Sequence, residues 1–322
     1  MSFCTRERER QARFREQSSL PPSPRHRHLL APGYEEENLY PTLRGENGAC
    51  RFSESRGIKW WQDKRNGDDW NGKRPTLNMT SSQVACVNFL LPLTEIPEAL
   101  LAMLRAIDGD VKGWVPIEDR RIQSPVEFEW IGLGHALEGP GVKTRGANAT
   151  SVDAFMIAQT PAGRRAYLME WKYVEQCSRK NLGEGSKGMT RRQRYAPLYD
   201  GSPSFNGRVP MDAWFFDPFY QILRLRLLAD RMVHDRELGV SEAKVVVVVP
   251  DGNQAYRERI TSSWFAKTFP NRTVSDIVRE TLLDPDSTYS SVSQSTLADA
   301  VREHCAEAAT SWSAYLRDRY GW

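Results

Sequence analysis

Two charged residues lie inside an apolar segment of the sequence. The stretch LMEWKYVEQ (168–176) is mostly apolar or aromatic and predicts a buried strand, yet it contains Glu170 and Lys172. Residues two positions apart on a strand point to the same face, so these two charges share one face and Trp171 points to the other. Burying either charge without a partner is costly. The pair is therefore either a salt bridge near the end of the strand or part of a functional site.

An aspartate on the preceding strand can join this pair. TSVDAFMIAQT and RAYLMEWKYV predict the two strands of a hairpin, connected through PAGR. A two-residue turn at Ala162–Gly163 would place Asp153 directly opposite Lys172 and on the diagonal from Glu170. That diagonal is roughly 7–8 Å long, which a metal ion with its waters can bridge. A slip of one residue would place Asp153 opposite Trp171 and dismantle the cluster.

The same register predicts a sheet that is covered on both faces. One face is apolar near the turn and ends in the three charged residues, and the other is apolar or aromatic along its whole length. The apolar residues of the first face are Phe155, Ile157 and Leu168, and those of the second are Ala154, Met156, Tyr167, Met169, Trp171 and Tyr173. Such a sheet would open into a small acidic pocket at one end.

The elements around the hairpin alternate between helices and strands. Apolar spacing predicts helices over 82–91 and 97–107, a strand over 125–132, an amphipathic helix within 217–238 and a β-branched buried strand over 243–249. After a serine-rich loop (284–295), a last helix is expected to open with a capping box at Thr296–Asp299. The order of helix, three strands, helix and strand predicts one mixed α/β core.

Net charge alone does not indicate a nucleic-acid partner. The 322 residues are 40% hydrophobic and 26% charged, with a net charge of +3. Residues 1–30 hold seven arginines and three glutamates, a balance of +4, so the remainder carries 3 − 4 = −1. Only local basic patches could therefore bind a polyanion.

Cysteine and hydropathy patterns predict a soluble, cytoplasmic protein. Five scattered cysteines contain no CxxC pair and five histidines show no metal spacing, which argues against a disulfide framework or a zinc site. The first residues lack the apolar core of a secretory signal. The longest apolar stretch, 84–104, is broken by Pro92 and Pro97, so no membrane span is expected.

We expect four segments along the chain. Residues 1–45 are basic and then proline-rich, which predicts a disordered tail. Residues 46–115 form a loop and helical segment that packs on the core. The core itself spans 116–252, and 253–322 form a C-terminal helical extension.

The motif Asp153…Glu170-Trp171-Lys172, in this order of elements, resembles the PD-(D/E)XK nuclease superfamily. The stretches SSQVACVNFLLPL, RGANATSVDAF, LMEWKYVE and DPFYQILRLRLLA are also similar to a group of bacterial restriction-endonuclease-like proteins. The resemblance covers roughly residues 57–252, and Val152 stands where the superfamily motif has a proline. It implies an α/β restriction-endonuclease-like core of order αβββαβ, a mixed central sheet flanked by helices, with N-terminal and C-terminal helical additions.

The resemblance also implies a metal-dependent active site. Asp153, Glu170 and the backbone carbonyl of Trp171 would ligate Mg²⁺, for which Mn²⁺ could substitute. Lys172 would position the attacking water and stabilise the developing negative charge.

Three further residues are candidates around this site. Glu129 is either another acidic ligand or a solvent-facing strand residue, and Glu138 is a weaker candidate of the same kind. Gln221 is similar to the glutamine that some nucleases of the superfamily place beside the metal. Its alternative is an exposed residue in the first turn of a helix.

A basic insert follows the predicted catalytic strand. Residues 177–208 carry seven cations and two carboxylates, a balance of +5. The insert is either a solvated loop or, through its glycines, a segment that closes around DNA. Its candidate DNA contacts, with one more just before Asp153, are Arg145, Arg179, Lys180, Lys187, Arg191, Arg192 and Arg194. On the amphipathic helix, the charges Arg224, Arg226 and Arg231 are expected to be solubilising.

The function that this resemblance implies is a Mg²⁺-dependent endodeoxyribonuclease of restriction type in bacterial defence. The alternatives are a repair, recombination or RNA-directed nuclease, a non-catalytic nucleic-acid-binding protein of the same fold, or an α/β structural protein whose three charges coincide by chance. Cleavage of both strands calls for two active sites, which a homodimer would supply. A methyltransferase or other defence-system protein would be a separate partner, because no such motif is present.

Overall fold

The computed structural model describes residues 1–68, 71–119, 122–133, 137–138 and 149–322. The α-helices in these ranges are α1 (Phe3–Gln17), α2 (Ala49–Ser55), α3 (Ser82–Leu90), α4 (Pro97–Ile107), α5 (Gly185–Asp200), α6 (Phe219–His234), α7 (Gln254–Arg257), α8 (Ser263–Thr268), α9 (Val274–Thr281), α10 (Pro285–Thr288), α11 (Gln294–Cys305) and α12 (Thr310–Tyr320). The strands are β1 (Gly113–Val115), β2 (Ile117–Asp119), β3 (Ile122–Ser124), β4 (Glu127–Trp130), β5 (Val152–Thr160), β6 (Gly163–Trp171), β7 (Glu242–Val248) and β8 (Tyr289–Val292). Short 3₁₀ helices lie at Glu35–Asn38, Pro41–Leu43, Lys64–Asn66, Pro92–Glu95, Met211–Trp214 and Glu237–Gly239.

A six-stranded mixed sheet lies at the centre, in the order β1-β5-β6-β7-β8, with β4 also paired to β5. Strands β4, β5 and β6 are antiparallel, while β7 runs parallel to β6 and β8 runs parallel to β7. The crossover from β6 to β7 contains α5 and α6. The predicted mixed α/β core, with a central sheet flanked by helices, is therefore confirmed. The carboxyl ends of β6, β7 and β8 meet at one edge of this sheet, as parallel strands require.

Both faces of the sheet are covered, as the alternation of β5 and β6 predicted. One core contains the face of Met156, Tyr167 and Trp171 and packs against α3, α4, α11 and α12. The other contains the face of Phe155 and Leu168 and packs against α5, α6, α8 and α9. Strand β7 contributes to both cores, which explains its continuous run of valines.

The amino-terminal residues differ from the expected disordered tail. Helix α1 docks through a polar buried face: the Nε2 atom of Gln11 donates hydrogen bonds to Tyr173 Oη and to the Arg319 carbonyl, both at 2.9 Å. Tyr173 Oη donates in turn to Glu7 Oε2 at 2.8 Å. Because its buried residues are Glu7, Gln11, Ala12 and Arg15, this helix has almost no apolar stripe that would predict docking.

The C-terminal elements and the basic insert also differ from expectation. Ser293, not Thr296, caps α11, since its side chain accepts a hydrogen bond from the Thr296 amide. The expected last helix is two helices, α11 and α12, and the serine-rich loop before them contains α10 and β8. Half of the basic insert, 177–208, is the helix α5 and not a glycine-rich loop. None of the helices in the described ranges has the length and apolarity that crossing a bilayer needs.

Candidate active site

A cleft of about 580 Å³ opens at the edge of the sheet where β5 begins and β6 ends. Asp153 and Glu170 line it, as predicted, together with Glu129 from β4 and Gln221 from α6. The sequence left Glu129 undecided between a ligand and a surface role and favoured a surface role for Gln221, and the fold brings both to the cleft. Four elements thus place carboxylate and amide groups around one opening.

The observed hairpin register corrects the predicted one by two residues. The turn is Pro161–Ala162, since Thr160 pairs with Gly163 and Ala154 pairs with Met169. Continued by one pair, this register sets Asp153 opposite Glu170 and not opposite Lys172. A shift of two residues leaves every side chain on its predicted face, so the acidic cluster survives the correction.

The Asp153 side chain ends the ladder between β5 and β6. Its Oδ2 atom accepts a hydrogen bond from the Trp171 amide at 2.7 Å, where a backbone carbonyl would otherwise bind. Because the N–H and C=O groups of one strand residue point to the same side, the Trp171 carbonyl also lies on the β5 side. Asp153 and this carbonyl are therefore held next to each other.

Glu170 and Lys172 form a buried ion pair. Lys172 Nζ lies 2.5 Å from Glu170 Oε1, and the two residues are only 7% and 5% exposed. Burial, the largest single effect, would lower the pKa of the Lys172 ammonium, but Glu170 together with Tyr256, Asp153 and Glu175 raises that pKa well above its usual value. Lys172 thus stays charged at neutral pH and can donate hydrogen bonds but cannot act as a base.

Burial raises the pKa of Asp153 well above its usual value, and the facing Glu170 carboxylate raises it further. Lys172 and the hydrogen bond from the Trp171 amide act in the opposite direction. Two carboxylates that crowd one another in a partly buried cleft favour the binding of a cation.

The backbone of Lys172 is fixed from two directions. Its amide donates to the Val248 carbonyl at 2.8 Å, which extends the pairing of β6 with β7. Its carbonyl accepts a hydrogen bond from Gln294 Nε2 at 2.6 Å. Gln294 is fully buried at the start of α11. No sequence pattern near Gln294 indicates which strand it contacts, so this residue could not be predicted.

Glu129 lies opposite Asp153 on the other neighbouring strand, between the pairs Phe128–Ala154 and Trp130–Val152. Its φ of 49° is left-handed, which is rare for a residue with a side chain and marks a local twist of β4. As a result Phe128 and Trp130 pack in different cores. Glu129 Oε1 accepts a hydrogen bond from Gln83 Nε2 at 3.0 Å.

The donor set fits a hard divalent cation. Mg²⁺ is commonly held by one or two carboxylates while it keeps several waters. Asp153, Glu170 and the Trp171 carbonyl could supply such oxygens. In the part of the chain that the structure describes, no group of three or more His, Cys, Asp or Glu side chains is arranged to hold a metal ion. Two carboxylates and one carbonyl would leave positions for waters on the ion, as Mg²⁺ prefers.

Arg224 was expected to be solubilising but lines the same cleft. Its guanidinium donates to Thr150 Oγ1 at 3.0 Å and to the Ala149 carbonyl at 3.1 Å, and it pairs with Glu138 Oε1 at 3.5 Å. Glu138 also accepts a hydrogen bond from Tyr195 Oη at 2.8 Å. Glu138 thus anchors Arg224 and α5 and does not line the cleft.

Arg226 is likewise not a surface charge, since it is 3% exposed. Its guanidinium pairs with Asp230 at 3.0 Å and donates to the Ala243 carbonyl at 2.9 Å. Arg231 is the one of the three helix arginines that is solvent-facing, and it pairs with Asp235 at 2.7 Å.

The candidate DNA contacts of the insert do not line the cleft. Arg179, Lys180 and Lys187 are exposed, and Arg194 is half-buried. Arg145 lies outside the described residues.

Two further arginines of the insert hold its own structure together. Arg191 donates to the Leu182 carbonyl at 2.7 Å, and Arg192 donates to the Gly183 carbonyl at 2.8 Å and pairs with Asp212. These contacts fasten the loop before α5 to the helix.

Residues 42–321 match the family model described as "Restriction Endonuclease associating with ARP". The chain belongs to this family, which is one of restriction-type endonucleases. No curated protein and no solved structure matches the chain.

Proposed function

We propose that the protein is a Mg²⁺-dependent nuclease that hydrolyses DNA phosphodiester bonds, as a restriction-type endonuclease in bacterial defence. The observation that supports this most is the convergence of Asp153, Glu170 and Lys172 at the end of β5 and β6, beside a cleft. A charged pair that served stability alone would need neither the facing carboxylate nor the opening.

Membership of the PD-(D/E)XK superfamily is part of this proposal. It is supported by the succession of helix, three antiparallel strands, helix and parallel strand, and by the Asp…Glu-x-Lys pattern on the second and third of those strands. The corrected register strengthens it, because the two carboxylates then lie on directly opposed residues.

In this proposal Asp153, Glu170 and the Trp171 carbonyl would hold Mg²⁺, for which Mn²⁺ can substitute. Glu129, on β4, is a further candidate ligand of the same ion. When bound, the ion supplies Lewis acidity and lowers the pKa of water. Lys172, kept charged by Glu170, donates hydrogen bonds to the phosphate oxygens and stabilises the charge that develops on them. Gln221 orients the bound strand from the start of α6.

Cations of the insert and of the segment before Asp153 are proposed to bind the DNA backbone. Lysine and arginine side chains that contact phosphates displace counterions and provide most of the sequence-independent affinity. The proposed contacts are Arg145, Arg179, Lys180, Lys187 and Arg194, whereas Arg191 and Arg192 act mainly by fixing the insert.

A separate partner and a second copy of the chain complete the proposal. The family description names an association with ARP. A restriction-type nuclease also requires a partner, such as a methyltransferase, that protects the host's own DNA from cleavage. A homodimer would supply the two active sites that double-strand cleavage requires. A cytoplasmic location remains a prediction.

The experiment is cleavage of supercoiled plasmid by the purified protein with Mg²⁺, Mn²⁺ or EDTA, beside single-stranded DNA and RNA of matched sequence. We expect nicked and linear plasmid with either metal and none in EDTA. Cleavage of RNA alone would replace the substrate in this proposal. Binding of DNA without cleavage under any metal would favour the non-catalytic alternative.

A further inference from the structure

A tryptophan is exposed at the mouth of the cleft. Of the two neighbouring tryptophans, Trp60 is 4% exposed and packs in a core, whereas Trp61 is 57% exposed. Trp61 lines the same cleft as Asp153 and Glu170. A scattered exposed apolar side chain needs no explanation, but a large aromatic ring beside a proposed phosphodiester site does.

The backbone of this segment is held by hydrogen bonds, which fix where the indole is attached beside the cleft. The Trp61 amide donates to Gln83 Oε1 at 2.7 Å, and the Trp60 amide donates to the Gly72 carbonyl at 3.0 Å. Gln83 Nε2 donates to the Lys59 carbonyl at 3.3 Å and to Glu129 Oε1 at 3.0 Å. One glutamine of α3 thus ties the tryptophan segment to a carboxylate of the cleft.

We propose that Trp61 is a stacking platform for an unpaired nucleobase of the nucleic acid whose backbone lies at Asp153 and Glu170. This inference rests on the proposed nuclease function and adds a substrate feature to it. An indole stacks on the flat face of any base, which makes such a contact strong and tolerant of sequence. The exposed Lys59, which also lines the cleft, lies two residues away and can pair with a neighbouring phosphate.

A base inside a duplex cannot stack on Trp61, because both of its faces are covered by its neighbours. A base becomes available in a single strand, at an end or when it is turned out of the helix. The cleft of about 580 Å³ falls within the range of about 300–1,000 Å³ for pockets that hold small organic molecules.

The surroundings favour a base over a protein partner. Aromatic hot spots of protein interfaces lie in apolar patches from which water is excluded. Trp61 instead has Lys59, Gln62 and Asn71 as neighbours on the cleft lining, with carboxylates deeper inside. Polar groups around an exposed ring are typical of nucleic-acid binding surfaces.

The test compares binding of single-stranded DNA and of a fully paired duplex of the same sequence, by fluorescence anisotropy in EDTA and again with Ca²⁺. The variants are Trp61→Ala and Trp61→Phe. Both keep the main-chain hydrogen bond to Gln83, so the segment stays in place. The matched control is Tyr34→Ala, which removes an aromatic ring that is 41% exposed and lies outside the cleft lining.

We expect Trp61→Ala to weaken single-strand binding by between about 5-fold and about 150-fold, the range measured for one stacked base. Trp61→Phe should lose less, and Tyr34→Ala should match wild type. Duplex binding should fall less than single-strand binding in Trp61→Ala.

Three outcomes would overturn the inference. Single-strand affinity could be unchanged in Trp61→Ala, single-strand and duplex affinity could fall equally, or the wild type could bind neither. The first of these would show that Trp61 does not contact the nucleic acid. If the protein binds single-stranded DNA through Trp61 but cleaves no nucleic acid, the nuclease proposal is wrong and the stacking inference still holds.

Discussion

Asp153 Oδ2 accepts a hydrogen bond from the Trp171 amide at 2.7 Å, so a proposed metal ligand also serves as the last rung of the β5–β6 ladder. The same contact fixes the carboxylate next to Glu170, its neighbour across the strands. Structure and proposed chemistry therefore depend on one side chain, and substitutions at Asp153 must separate the two roles. Asparagine does so, because it keeps an acceptor oxygen and removes the charge.

Metal binding should stabilise the fold through this carboxylate pair. We expect Mg²⁺ to raise the free energy of unfolding of the wild type, by about 2.7 kcal/mol at a concentration of about 100 times the dissociation constant. Asp153→Asn should lose this gain and, in EDTA, should be at least as stable as wild type because the carboxylates no longer repel each other. Thermal melting with and without Mg²⁺ measures both effects. An equal Mg²⁺ shift in both proteins would place the metal elsewhere.

Gln294 should matter for the position of Lys172. Gln294→Leu removes the donor to the Lys172 carbonyl and leaves that buried acceptor without its hydrogen bond, a loss of about 1–3 kcal/mol of stability. The rate of DNA cleavage should fall as well, because the Lys172 backbone is then held only through its amide. The control is Gln254→Leu at an exposed glutamine, where we expect a change within about 0.5 kcal/mol. Urea unfolding and cleavage rates of the two variants test this, and equal behaviour would refute the positioning role.

A second buried ionic cluster lies at the opposite end of β6 and β7. Asp108 accepts a hydrogen bond from Tyr167 Oη at 2.9 Å, pairs with Lys244 at 3.2 Å and pairs with Arg165. Burial alone would raise the pKa of Asp108, but Arg165 and Lys244 outweigh burial and lower it below its usual value. A lowered pKa in the folded state means that this stability is present above the unfolded pKa and is lost as pH falls through the folded pKa.

Asp108→Asn should therefore cost about 3–5 kcal/mol near neutral pH, since it removes the carboxylate that pairs with the buried Lys244 and Arg165, of which Arg165 keeps Glu242 as a second partner. The difference from wild type should shrink in acid, where the wild-type carboxyl is itself protonated. Asp110→Asn, at an exposed aspartate two residues on, is the control. Urea unfolding across the acid range measures the difference, and a gap that stays constant with pH would contradict the assignment. Cleavage under native conditions should be unchanged in both variants.

The insert's cations should divide into two groups. Replacing Arg179 and Lys180 by glutamine should flatten the salt dependence of DNA binding, lowering the slope of log affinity against log salt by roughly 2, with no change in unfolding. Arg192→Gln should instead destabilise the protein, because it removes the contacts to Gly183 and Asp212. Salt titrations and melting curves distinguish the groups. If the slope of log affinity against log salt is unchanged in the double variant, Arg179 and Lys180 do not contact DNA.

The faces of the central hairpin could be predicted from sequence, but its register could not. Alternation has a period of two, so it fixes which side chains share a face and leaves shifts by two residues open. The turn decides between them, and here Pro161–Ala162 forms it in place of the expected Ala162–Gly163. Asp153 was therefore expected opposite Lys172 and is found opposite Glu170, and both registers keep it in the acidic cluster.

Contacts between segments that are distant in sequence could not be predicted from sequence patterns. Helix α1 docks through Gln11 on Tyr173 and Arg319, and polar docking leaves no apolar periodicity to detect. Arg224 has the spacing of a surface charge on an amphipathic helix, yet the fold turns it into the cleft. Such residues acquire their roles from the partners that the tertiary structure brings to them.

The most direct test of the central claim is plasmid cleavage by Asp153→Asn and Lys172→Met beside wild type, with Mg²⁺. Lys267→Met and Asp110→Asn, at exposed positions outside the cleft, are the matched controls. Melting curves of all five proteins show whether each variant is folded. We predict that both site variants lose about 100-fold or more of the cleavage rate while the controls keep it. Mg²⁺-dependent cleavage at the wild-type rate by folded Asp153→Asn and Lys172→Met would contradict the account.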